Sequence, residues 1–241
     1  MMRRRRARAI PTARGTRTRW AVLLRRRAIL AGQGGGVPRT GDQRGQGLVE
    51  LSAVLPIILI LLVGMLEFGM AYNDLLTLGY ASREGARTGS ALAQGGATSC
   101  TPTTDPGGVD KTAIAAVQRI LKSPGSDVEI ADIQQIRIYK ATSTGAQSGS
   151  AVNVWTYTPG AGPDVDPGPG TIKLDFSETS HGWNVCSRVN TGANPDSIGV
   201  QLVYRYRLTT PLGSVLGLIG GSQANTITFR EQTVMALNPT A

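Results

Sequence analysis

The stretch Arg44-Gly45-Gln46-Gly47-Leu48-Val49-Glu50-Leu51-Ser52-Ala53-Val54-Leu55-Pro56 opens the run that decides the architecture of this chain. Sixteen residues without a charge follow from 51 to 66, and Leu48, Val49, Phe68, Met70 and Tyr72 lengthen the apolar zone on both sides. As an α-helix, residues 48–72 rise about 37 Å, enough for a hydrocarbon layer of about 30 Å. Residues 57–63 are apolar on every face, whereas a soluble helix of this length carries a polar stripe. The reading is one membrane helix over 46–72, preferred to a buried soluble helix.

Working outward from that helix, charge is distributed very unevenly. Residues 1–47 hold thirteen arginines and a single acid, Asp42, a balance of +12. Residues 48–241 hold twelve lysines and arginines against fifteen acids, a balance of −3, which brings the chain to its net +9. The basic character therefore belongs to an Arg-rich tail, residues 1–45, and not to the body. By the positive-inside rule, Arg3 to Arg6, Arg25 to Arg27 and Arg44 place the N-terminus in the cytoplasm and the remaining mass outside. An Arg-rich arm also has the electrostatics of a nucleic-acid ligand, but Trp20 is the one aromatic interleaved there, so no nucleic acid is expected. A later start, at a Val codon at Val37, is a competing reading of the arm.

On the other side of the span, residues 73–94 contain no proline and are rich in Ala and Leu, which predicts that the helix continues as one rod. Leu75, Leu78, Gly79, Ser82, Gly85, Ala86, Gly89 and Ala93 form a stripe of mostly small residues along it. Each glycine weakens an isolated helix by about 0.8 to 1 kcal/mol relative to Ala, so a packing reason is expected. Arg83 and Arg87 project together, with Glu84 within reach of Arg87, as a solvated face or as a docking edge. Residues 95–108, rich in Gly, Pro, Thr and Ser, read as a linker.

Residues 109–241 read as one domain of ordinary size. An amphipathic helix is predicted over 109–122, then strands over 128–141, 152–158 and 171–176, with a Pro/Gly/Asp loop over 159–170. Residues 198–208 alternate cleanly, Val200, Leu202, Tyr204, Tyr206 and Leu208 facing one way and Gln201, Arg205 and Arg207 the other, as in a half-buried antiparallel strand. A short helical excursion over 212–219 and a last strand over 227–237 complete the expectation. The fold class is α+β: a long N-terminal membrane-spanning helix followed by a small extracytoplasmic head with a mainly antiparallel sheet.

Three pieces of this sequence resemble the TadE-like family, membrane-anchored pseudopilins of the tight-adherence (Flp, type IVc) pilus machinery. They are the basic-Gly-x-x-x-x-Glu start at Arg44, Gly45 and Glu50 with Pro56 six residues after the acid; Gly64-Met65-Leu66-Glu67-Phe68-Gly69; and Ala81-Ser82-Arg83-Glu84-Gly85-Ala86-Arg87. The resemblance implies that a prepilin peptidase cuts between Gly45 and Gln46. It also implies that the Glu50 carboxylate meets the new N-terminal amine of a neighbouring subunit. The physics agrees, because a carboxylate in an apolar helix costs about 2.5 to 3.5 kcal/mol at mid-membrane unless a cation satisfies it. The competing reading is that Glu50 reaches the inner headgroups.

Pro56 removes the hydrogen bond to the Ser52 carbonyl, which neighbouring helices or the Ser52 hydroxyl would help to satisfy; its roles are a bend suited to extraction or a tolerated kink. Glu67 either pairs with a partner subunit or snorkels outward. The implied partners are the membrane, other pilin-like subunits, pilus platform proteins and the prepilin peptidase. The implied place is the cytoplasmic membrane, single-pass, with a pilus-associated state.

Cys100 and Cys186 are the two cysteines, both on the side placed outside, where an oxidising compartment favours a disulfide between them. Free thiols or an intermolecular bridge are the alternatives. His181 is the only histidine, no CxxC occurs, and a Ser180, His181 and Asp175 set has no nucleophile-elbow context. Asp164 and Asp166 lack the ligand series of a calcium loop and read as solvated turn residues. No catalytic site, metal or cofactor is expected, and the function read here is a non-catalytic minor pilin-like subunit. A membrane-tethered binding or hydrolytic domain is the competing function. A cleaved secretory signal is the weakest alternative, with Gly79-Tyr80-Ala81 the nearest approach to a cleavage site.

Overall fold

The structure is a computed structural model. It describes residues 43–92, 108–166, 170–190, 194–211, 213–214, 217 and 225–237. Helix α1, Gln43–Leu92, is continuous for 50 residues, about 75 Å at the α-helical rise. Its two halves obey different rules. Through the first, nearly every side chain is exposed, including Leu51, Ile58, Leu62 and Met65. Through the second, Leu78, Ala81, Ser82 and Ala86 have no exposed surface at all.

What covers the second half is the head of the same chain. Helix α2, Val109–Leu121, precedes seven strands: β1 Ile133–Ala141, β2 Gln147–Tyr157, β3 Asp164–Val165, β4 Ile172–Lys173, β5 Phe176–His181, β6 Ser197–Arg207 and β7 Thr226–Ala236. Five of them form an antiparallel sheet in the order β5-β2-β1-β6-β7, while β3 and β4 make a separate two-stranded ribbon. Register is set by alternation: Ile138 stands opposite both Asn153 and Val200, and Val200 opposite Thr233. The inward residues Ile136, Ile138, Val200, Leu202, Tyr204 and Tyr206 share one core with Leu78, Ala81 and Ala86 of α1 and Ala113, Ile114 and Val117 of α2. The opposite sheet face is polar, with Arg137 bonded to Gln201 and the Tyr139 hydroxyl donating to Gln232. Gly199 belongs to this face for a steric reason, because a Cβ there would stand 2.3 Å from the Tyr139 ring.

The fold class is the expected one, α+β with a long apolar helix before an antiparallel sheet. Several details differ. Strand β5 is absent from the sequence reading, whose third strand over 171–176 is divided between β4 and the start of β5. The reason is visible in Phe176-Ser177-Glu178-Thr179-Ser180-His181, where Phe176 is the one buried residue, as befits an edge strand. Strand β2 starts at Gln147, five residues before the expected 152, on a polar and half-exposed stretch. The Ser52 hydroxyl donates to the carbonyl of Val49 at 2.8 Å rather than to its own carbonyl below Pro56, because the i−3 carbonyl is the one within rotamer reach. Cys186 lies in a one-turn 3₁₀ segment, Val185–Ser187, while Cys100, Ala93, most of the linker over 95–108 and most of the excursion over 212–219 fall outside the described residues.

Candidate functional site

The sequence-derived residues occupy three levels of α1. At its start, Gly45 and Gln46 are exposed within the first helical turns, and among the described residues nothing beyond the adjoining helix backbone lies within 4 Å of where a Gly45 side chain would begin. Glu50 and Pro56 are on the bare half of the helix.

Glu67 is the second level, and the sequence reading of an outward or intersubunit acid does not describe it. Its side chain is turned into the head and the residue is 6 % exposed. The Tyr206 hydroxyl donates to Oε1 at 2.5 Å, the Thr209 amide to Oε1 at 3.1 Å and the Thr210 amide to Oε2 at 2.9 Å. Both amides are free to do so because β6 ends at Arg207, so the backbone beyond it no longer serves the sheet. Burial and the bond to Glu67 push the Tyr206 phenol up to about 12, which keeps it a donor at neutral pH. A carboxylate holding three donors is well satisfied on the protein's own account. One and a half to two turns further along, Asp74 accepts from the Tyr204 hydroxyl at 3.2 Å, and Asn73 donates to Asp127 at 3.1 Å. Burial raises the Asp74 carboxyl above its ordinary range, more than the Tyr204 bond lowers it, and the charge of Asp127 adds to the rise.

Arg83, Glu84, Gly85 and Arg87 form the third level. Arg83 and Arg87 point to solvent. Glu84 accepts from Arg87 at 3.0 Å and from Arg119 of α2 at 3.2 Å, so the acid ties the two helices together while the arginines stay wet. Gly85 is what allows the helices to approach: an added Cβ would lie 2.5 Å from Val117 Cγ2 and 3.3 Å from Val200 Cγ1. At Gly89 it would lie 2.8 Å from Ile198 Cδ1. Gly79 has no such constraint, its nearest neighbour being Glu231 at 3.5 Å. The Ser82 hydroxyl is 2.8 Å from that of Thr233 on β7. The small-residue stripe is thus the surface on which α1 carries its own head.

Sequence reasoning did not find Tyr206, Thr209 and Thr210 as the partners of Glu67, nor Arg119 as a partner of Glu84. Tyr206 did carry a signal, its inward place in the β6 alternation. Nor did it find the buried Asp110–Arg188 pair, 2.8 Å between Oδ1 and Nη1, on which Asn153 converges with an amide donated to Asp110 at 2.7 Å. Arg188 lies 4.3 Å over the Trp183 ring, and the Asn153 carbonyl oxygen accepts from the Gly182 and Trp183 amides. These groups tie α2, β2 and the chain after β5 together and are almost fully buried.

Ser180, His181 and Asp175 are not assembled into a set. His181 Nδ1 lies 2.7 Å from Glu178 Oε1, whereas Asp175 engages Lys122 and the Gly160 amide. Asp164 pairs with Lys173 across the small ribbon, and Asp166 lies just beyond it. The Gly79-Tyr80-Ala81 tripeptide is inside the docked half of α1, with Gly79 and Ala81 buried.

Among the described residues, Gly45–Leu92 is the one helix long and apolar enough to cross a membrane, and none of its apolar window is buried. No curated protein and no solved structure matches the chain. A family model described as TadE-like protein does match, from Gly45, at the expected processing site, to Arg87, at the end of the docking motif. Over residues 45–87, the bare half of α1 and most of its docked half, this protein therefore carries a TadE-like segment.

Proposed function

We propose that this protein is a non-catalytic, membrane-anchored, pilin-like subunit that serves assembly of a tight-adherence pilus. One observation carries the reading: a single helix is bare and apolar for its first half and bonded to a folded head for its second, and the TadE-like match covers both. A mere tether needs no such continuity, since a flexible linker would serve it equally well. In this reading residues 1–45 are a cytoplasmic leader, the span begins at Gln46, and the head lies on the far side of the membrane. Prepilin peptidase releases the leader, and Glu50 then meets the freed amine of a neighbouring pilin-like subunit at the platform.

The exposed helical position of Gly45 suits cleavage only if the first turn of α1 unwinds in the peptidase. The test is N-terminal sequencing of the protein from cells with and without the peptidase. We expect Gln46 as the first residue in the former, the intact arm in the latter, and loss of cleavage on Gly45→Ala. An intact arm in cells with active peptidase would overturn the reading in favour of a permanently tethered domain.

A further inference from the structure

The Glu67 site says where the head stands relative to lipid. We infer that the rim of the head formed by the end of β6 and the start of β7 rests on the bilayer surface, making a second lipid contact beside the helix. The inference rests on the reading that α1 crosses the membrane.

Residues 47–66 are twenty residues long, about 30 Å of helix, the thickness of a hydrocarbon layer. Glu67 is the next residue, and it is there that Tyr206, Thr209 and Thr210 are bonded to α1. The end of β6 is therefore pinned to α1 within the outer turns of the apolar zone that runs to Tyr72, not suspended above it on a linker. Thr209 also lies against Met70, its hydroxyl 3.7 Å from the sulfur.

Composition agrees with that depth. The described residues that follow Arg207 and precede Arg230, namely 208–211, 213, 214, 217 and 225–229, carry no charge. Where this stretch is described, Thr209, Pro211 and Ile227 are exposed, Ile227 at 46 %. Arg207, the first charge, is held by Asp132. Asp74 lies seven residues beyond Glu67, about 10 Å higher along α1, and Asp127 is bonded to the neighbouring Asn73. Tyr72 projects from the helix between these levels, as aromatic residues do at the headgroup region. The order along the helix is an apolar span, a rim whose exposed Thr209, Pro211 and Ile227 are uncharged and whose Arg207 is paired with Asp132, an exposed tyrosine, and then Asp74 and Asp127. An unpaired charge at the hydrocarbon edge would cost free energy that these uncharged residues do not.

The test adds one tryptophan at a time to the full chain, reconstituted in phosphatidylcholine nanodiscs with or without brominated acyl chains, and subtracts the emission of the unsubstituted background. Trp20→Phe is the background, in which the buried Trp155 and Trp183 contribute a constant emission that the lipid bromines do not reach. The added tryptophans are Leu59→Trp in the span, Ile227→Trp and Pro211→Trp on the rim, and Ala236→Trp at the far end of β7, about 30 Å away along the strand. Bromination should quench the span position most and both rim positions severalfold more than Ala236→Trp. If both rim tryptophans match Ala236→Trp while Leu59→Trp is quenched, the rim contact is wrong and the anchor stands. If Leu59→Trp is not quenched either, the anchor reading fails and takes the rim contact with it.

Discussion

Glu67 and Tyr206 are 139 residues apart in sequence and 2.5 Å apart at Oε1 and the phenol oxygen, so the last turn of the apolar run is joined to the end of the central strand by one short, charge-assisted bond. Removing the donor should be costly, because the carboxylate stays buried with fewer partners. We expect Tyr206→Phe to lower stability by about 1.5 to 3 kcal/mol, the range for hydrogen bonds to charged groups. Chemical unfolding in detergent measures it, and an unchanged midpoint would show that the bond contributes nothing. Because the folded-state phenol titrates near 12, above its unfolded value, its contribution should be complete below about pH 10 and fade between about 10 and 12.

The glycines of the stripe should respond differently to the same substitution. Gly85→Ala drives a methyl group to 2.5 Å from Val117 and should cost about 1 to 3 kcal/mol, as overpacking does. Adding Val117→Ala should recover part of that loss. Gly79→Ala has ordinary contact space and should be neutral or stabilising by up to about 1 kcal/mol through helix propensity. Equal effects at positions 79 and 85 in thermal melts would refute the docking geometry.

Asp110 and Arg188 form a pair with essentially no exposed side-chain surface, so breaking it should be far worse than replacing it. Arg188→Ala is expected to cost about 3 to 5 kcal/mol by leaving Asp110 charged and buried. Arg188→Met combined with Asp110→Asn should cost less than the two single substitutions added together. A double-mutant cycle on unfolding free energy measures the coupling, and strict additivity would show that the pair is not a unit.

Asp74 gives a pH signature opposite in sign to that of an acid held by a cation and several donors. Its folded-state carboxyl is raised, by burial first, so the folded state holds the proton more tightly than the unfolded chain. Its contribution is present below the unfolded value and is lost as pH rises through the folded one. Asp74→Asn should therefore be more stable than the parent at pH 7.5, while accepting the same bond from Tyr204, and the difference should shrink on acidification. Asp175 behaves in reverse: burial raises its carboxyl, but Lys122 and the Gly160 amide together outweigh that and hold it low, so its contribution falls away in acid. Melting curves of Asp74→Asn and the parent at pH 4.5 and 7.5 decide the matter; a difference that grows in acid would be wrong for this site.

Much of the fold was legible because it is written in single-element patterns. Sixteen uncharged residues specify a helix long and apolar enough to cross a membrane, and β6 announces itself by strict alternation. The glycines at 85 and 89 advertised a close approach, but not its partners, which come from Val117 on α2 and Ile198 on β6. Strand β5 stayed hidden because an edge strand needs little apolar surface, and hydrogen bonds to β2 leave no mark on composition.

The sequence by itself determined the long apolar helix, the basic arm before it, the α+β class and the Gly45-to-Arg87 stretch that the TadE-like model matches, since each depends on neighbours within a few residues. Only the tertiary structure decided that Glu67 faces inward, that Glu84 bridges two helices and that Asp110 meets Arg188. Each of those choices pairs a polar group with a partner far along the chain, and the burial that makes the pairing necessary exists only once the head has closed on the helix.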